Sequence, residues 1–161
     1  MPHALRTLLW ESMLDADMNV RYWGYIGRKY SSREKYIKVF LAIFSATSAI
    51  GSWSIWSSYP EMWKTLISVS ALIAIALPIL NYSGLVEKAV DQKGKWTRLL
   101  SQQEILWAKI EKDPNLEIES ELRGIQDSIA QTSRDDATVP LDEVLRQRAY
   151  TEVFAIRKGQ R

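Results

Sequence analysis

The sequence predicts an all-α fold, a two-helix transmembrane hairpin with long cytoplasmic helical extensions. Three observations predict it. Val39–Pro60 and Thr65–Val86 are each 22 consecutive residues without Asp, Glu, Lys, Arg or His. Cations crowd the outer flanks of both stretches and are nearly missing between them. Elsewhere, apolar residues recur at three- and four-residue steps, the spacing of an amphipathic helix. Bulk composition hides this layout: a quarter of the chain is charged, the net charge is only +2 and mean hydropathy is −0.19.

Residues 1–36 are the predicted N-terminal cytoplasmic amphipathic helix. Leu5, Leu8, Leu9, Met13, Val20, Trp23, Ile26 and Tyr30 supply its apolar side. Gly24 and Gly27 weaken it, and Asp15, Asp17 and Asn19 are candidate break points. No cleavable signal is expected, so the first span itself serves for insertion. The basic stretch Arg28–Lys38, with Tyr30 and Tyr36, suits anionic headgroups or, equally well, topology-setting charge alone.

Residues 37–86 are the predicted hairpin, with spans at about 39–60 and 65–86. A helix of 22 residues rises about 33 Å, enough for a hydrocarbon core of about 30 Å. Ser58-Tyr59-Pro60-Glu61 has capping-box spacing with proline in the first helical turn, so the connection is tight and the spans antiparallel. Trp53, Trp56, Tyr59 and Trp63 place amphipathic rings near an interface. Arg28, Lys29, Arg33, Lys35 and Lys38 precede the first span, and Lys88, Lys93, Lys95 and Arg98 follow the second. The tip offers only Lys64, offset by Glu61. That asymmetry predicts both termini on the cytoplasmic side of a multi-pass membrane protein.

Residues 87–161 are the predicted C-terminal cytoplasmic helical region. Ala89, Trp96, Leu99, Leu106 and Ile110 extend the second span into one long helix from about Glu61 to Lys112, ended by Asp113-Pro114. A further helix carries Ile118, Leu122, Ile125 and Ile129. Gln131–Thr138 is expected as a loop, with Asp135-Asp136 a solvated turn. Pro140 opens a last helix with Leu141, Val144, Leu145, Ala149, Val153 and Ile156 on one side.

The sequence offers little for catalysis. The absence of cysteine excludes disulfides, thiol chemistry and cysteine zinc sites. His3 is the single histidine, and no P-loop, GxGxxG, HExxH or GxSxG pattern occurs. No catalytic residue, cofactor or metal is therefore expected, and the near-neutral charge gives no reason to expect nucleic acid. Glu117, Glu119 and Glu121 read as an exposed helix face.

The spans carry more information. In lipid, small and hydroxylated residues mark helix contact faces. Ser45, Ser48 and Ser52 share one side of the first span, flanked by Ala42, Ala46 and Ala49. Ser70, Ala71, Ala74, Pro78 and Asn81 share a strip of the second. Thr47, Gly51, Ser54 and Ser58 lie broadly on the opposite side of the first span, and small faces on both its sides point to a homo-oligomer in the bilayer, with the serine face and the second-span strip packing or facing a pore. Packing within one hairpin accounts for them too, because serine can bond its own helix.

The basic, aromatic segment Asn19-Val-Arg-Tyr-Trp-Gly-Tyr-Ile-Gly-Arg-Lys-Tyr30, the tight hairpin and the long helix with Trp96 and Leu99-Leu100 resemble the SLATT domains. These are the SMODS- and SLOG-associating two-transmembrane effector domains of bacterial conflict systems. The resemblance implies an effector that assembles and breaches the inner membrane when a sensor or nucleotide-signalling partner reports infection. Two other readings stay open: a membrane anchor or scaffold recruiting a soluble partner, and a holin-like pore.

Overall fold

The computed structural model describes residues 3–49, 60–113, 117–136, 139 and 141–157, with the side chains of 3 and 44–49 excepted. Among the described residues the protein is all-helical. The helices are α1 (His3–Ala49), α2 (Pro60–Leu80), α3 (Tyr82–Lys112), α4 (Glu119–Asp136) and α5 (Glu143–Arg157). They divide into two compact units. One joins Met1–Gly27 to Glu87–Arg161, and the other is Arg28–Val86.

The first unit is a helical bundle. Helix α3 buries Ala89, Gln92, Trp96, Leu99, Gln103, Leu106 and Ile110, a strict alternation of three- and four-residue steps. That repeat keeps one seam facing a partner helix, as in coiled coils. The partner is the beginning of α1, which buries Leu9, Met13, Ala16, Trp23 and Ile26. Their contacts run in opposite directions. A Cβ at Gly27 would lie 3.6 Å from that of Ala89, Ser12 accepts a bond from Gln103 at 2.6 Å, and Trp10 packs on Trp107 with centroids 5.4 Å apart. As α1 numbers fall, α3 numbers rise, so the pair is antiparallel. Asp15, Asp17 and Asn19 do not break α1, which runs unbroken over 47 residues.

Helix α4 covers one end of this pair. Leu9, Met13, Leu106, Ile110, Ile118, Leu122 and Ile125 form one apolar cluster, and Lys109 ties α3 to Glu121 at 3.0 Å. Each such leucine or isoleucine taken out of water is worth about 1.5–3 kcal/mol. Helix α5 starts at Glu143 rather than Pro140. Asp142 caps it by accepting the Leu145 N–H at 3.2 Å, three residues on.

The second unit holds the rest of α1, all of α2 and the start of α3. Beyond Lys29, the half-buried positions on this part of α1 are Tyr30, Glu34, Ile37 and Leu41, one helical stripe. Tyr30 packs against Tyr82 with centroids 6.0 Å apart, and Glu34 accepts a hydrogen bond from Ser83. Of the first predicted span, residues 39–49 are described as the end of α1 and Pro60 as the first residue of α2. Ser52, Trp53, Trp56, Ser58 and Tyr59 lie outside the described residues, as do the side chains of Ser45 and Ser48, whereas Glu61, Trp63 and Lys64 of the predicted tip fall in the first turns of α2.

Candidate functional site

Helix α2 is the candidate membrane element. The helical stretch Pro60–Lys112 contains an 18-residue window of mean hydropathy 1.9, and none of that window is buried. Leu72 and Ile75 are each 67% exposed and Ile79 is 79% exposed. Among the described residues this one stretch is long and apolar enough to cross a membrane. The 21 residues of α2 alone rise about 31 Å, close to a bilayer's hydrocarbon thickness.

The half-buried positions of α2 are Trp63, Leu66, Ser70, Ile73, Ala76 and Leu77, a single stripe. The expected contact strip divides around it. Ser70 falls on the half-buried side, whereas Ala71, Ala74, Pro78 and Asn81 are exposed. The hydroxyls are satisfied locally. Thr65, Ser68 and Ser70 each donate at 2.9 Å to the carbonyl four residues earlier, those of Glu61, Lys64 and Leu66. Such back-bonding removes them as donors to another helix.

The continuous helix expected from Glu61 to Lys112 is interrupted at one residue. Pro78 has no N–H, so the Ala74 carbonyl lacks its usual partner one turn on. Helix α2 then stops at Leu80, and Asn81 adopts φ 43°. Its side chain accepts the Gly84 N–H at 3.2 Å, and its carbonyl accepts the Leu85 N–H at 3.1 Å. Asn81 thus ends α2 as a left-handed cap and begins α3 as an N-cap. A Cβ at position 84 would lie 2.5 Å from the Asn81 amide nitrogen, so the cap requires glycine there. The stop signal was present in the sequence as an asparagine ending an apolar helical run.

The predicted interface cations fall within helices. Arg28, Arg33, Lys35 and Lys38 are exposed on α1, while Lys29 and, on α3, Lys88 are half-buried. Lys38 pairs with Glu34 at 2.6 Å. That cation, with the Ser83 hydroxyl, holds the Glu34 carboxyl below the usual range.

The bundle contains polar groups that sequence reasoning missed. Asp17 is buried between Arg21 at 2.9 Å and Arg157 at 3.2 Å, and Arg157 also reaches Glu104 at 2.9 Å. Glu152 joins Arg148, Arg21 and Tyr25. Asp135 and Asp136 do not form a solvated turn, because α4 continues through both. Asp135 pairs with Lys95 at 2.8 Å, and Asp136 accepts the Trp96 indole N–H at 3.1 Å. Burial pushes the Asp136 carboxyl above its ordinary range, with the Trp96 indole opposing. The amide oxygens of Gln92 and Gln103 are buried without a hydrogen-bond partner among the described residues. Val144, Leu141 and Ile156, expected on the inner side of the last helix, are 78%, 62% and 52% exposed; α5 itself buries only Ala149 and Val153.

No family model, no curated protein and no solved structure matches this chain.

Proposed function

We propose that this chain is an oligomeric membrane effector of a bacterial antiviral defence system. It spans the inner membrane as a hairpin with both termini cytoplasmic. When a partner sensor signals, its copies assemble and permeabilise the bilayer, without catalysis or cofactor. One observation carries this reading: the small residues Ala71, Ala74 and Pro78 of α2, with Asn81 just past its end, are exposed beside the half-buried stripe of that helix. Small residues let helix backbones approach closely in lipid, where apolar area alone drives no association. The resemblance to SLATT domains supports the trigger and the outcome.

Induced expression should collapse the membrane potential, and purified protein should leak dye from liposomes. Ala74→Leu, which thickens the strip, should reduce leakage and shift crosslinked species toward monomer while insertion persists. An intact potential at verified membrane expression counts against the proposal.

The separately cored bundle of Met1–Gly27 and Glu87–Arg161 favours a second reading, a membrane anchor that presents a recruiting module. That reading predicts stable co-purification with a soluble partner, no toxicity, and indifference to Ala74→Leu.

A further inference from the structure

Within the bundle, α1 and α5 leave an open groove of about 250 Å³. Its floor includes half-buried Met18 and fully buried Val153. Glu11 and Asp15 line it from α1, one helical turn apart, and Tyr150 and Phe154 line it from α5. The two rings lie 4.3 Å apart between centroids and are nearly half exposed. Neither the Glu11 nor the Asp15 carboxylate has a cation partner among the described residues. Burial, reinforced by the charge of Glu11, holds the Asp15 carboxyl above its ordinary range. Nearby cations are engaged elsewhere: Arg157 with Asp17 and Glu104, and Arg6 over the Trp107 ring at 4.9 Å.

We propose that this groove receives a lysine or arginine side chain presented by an amphipathic basic segment of a partner protein. The aliphatic stem of such a side chain covers Leu14 and Met18, both half-buried in the groove lining, while its head stays at the polar rim. The head meets two uncompensated carboxylates and two aromatic faces, both of which attract a cation. Size points the same way. Small-molecule pockets usually run from about 300 to 1,000 Å³, so this groove fits one side chain better than a whole ligand. An acidic segment would add a third negative charge to the pair.

The test uses full-length protein in phosphatidylcholine nanodiscs and two helical peptides with the same leucine face, one with lysine and one with glutamate at the polar positions. Fluorescence anisotropy should show the lysine peptide binding at least about tenfold tighter, with the gap narrowing as salt rises. The double variant Glu11→Lys, Asp15→Lys should reverse that preference. Phe154→Ala should weaken lysine-peptide binding several-fold, with helix content by circular dichroism unchanged. Lysine-peptide binding that survives the charge reversal, or that empty nanodiscs reproduce, overturns the proposal.

Discussion

Asn81 is the one described non-glycine residue with positive φ, and the reason is local. Left-handed backbone costs ordinary side chains about 1–2 kcal/mol, whereas asparagine tolerates it and its amide supplies a cap worth about 1 kcal/mol. Asn81→Gly keeps the backbone and loses little more than the cap. Asn81→Leu loses both, about 2–3 kcal/mol in total. Denaturation in detergent followed by circular dichroism should rank the native protein first, then Asn81→Gly, then Asn81→Leu. Equal stability of Asn81→Leu and Asn81→Gly would mean that position 81 carries no left-handed strain. Asp136 gives a pH prediction. Its folded-state carboxyl holds its proton more tightly than the unfolded one, so stability falls as pH climbs from the ordinary aspartate range, near 3.8, through the raised folded value. Asp136→Asn keeps an acceptor for Trp96 and should be the more stable protein at pH 7, with a flatter pH profile. Asn81 could be read as a helix stop from its position. Asp136 could not, because its burial depends on Trp96, forty residues away.

At the scale of elements, α5 is held chiefly by charge. Ala149 and Val153 are its buried residues, while Asp17, Glu104, Arg21 and Tyr25 anchor Arg157 and Glu152. Arg157→Met leaves the buried Asp17 carboxylate with Arg21 alone. The expected cost is about 2 kcal/mol, below that of breaking a fully buried pair because Arg157 keeps some solvent. Hydrogen exchange should speed up across Glu143–Arg157 in this variant and leave Leu122 and Ile125 protected; uniform protection throughout would refute the charge-held account. Periodicity marked the helices of the bundle, although one continuous helix was expected where α2 and α3 are separate. Helix ends were not legible: α4 runs on through Gln131–Asp136, and α5 begins three residues after Pro140. Polar composition suggested a loop, but Thr132 is buried and bonded to the Ser128 carbonyl, so the helix continued.

For the whole molecule, the informative feature is that one core is assembled from separated stretches of chain. Leu9, Met13, Trp23 and Ile26 read in the sequence as the apolar side of a cytoplasmic amphipathic helix. Periodicity alone does not say whether such a stripe meets lipid or protein, and here it meets α3 and α4. The apolar run of α2 was legible because its length and lack of charge are properties of sequence alone. The exposed acidic and aromatic groove was not, since it brings together residues nearly 140 positions apart. Deleting residues 1–27 should therefore unfold the distant Glu87–Arg161 half of the bundle. Limited proteolysis should cut α4 and α5 in the deletion protein and spare them in the native one; equal resistance would mean the C-terminal helices fold unaided.

That discontinuity has a consequence during biosynthesis. Residues 1–27 leave the ribosome well before Glu87 is made. At about 5–20 residues per second, the intervening stretch keeps them waiting for roughly 3–12 seconds. Leu9, Trp23 and Ile26 travel bare in the nascent chain for that time, so sheltering of these side chains becomes part of making this protein. The bundle can close only once the middle segment has been made.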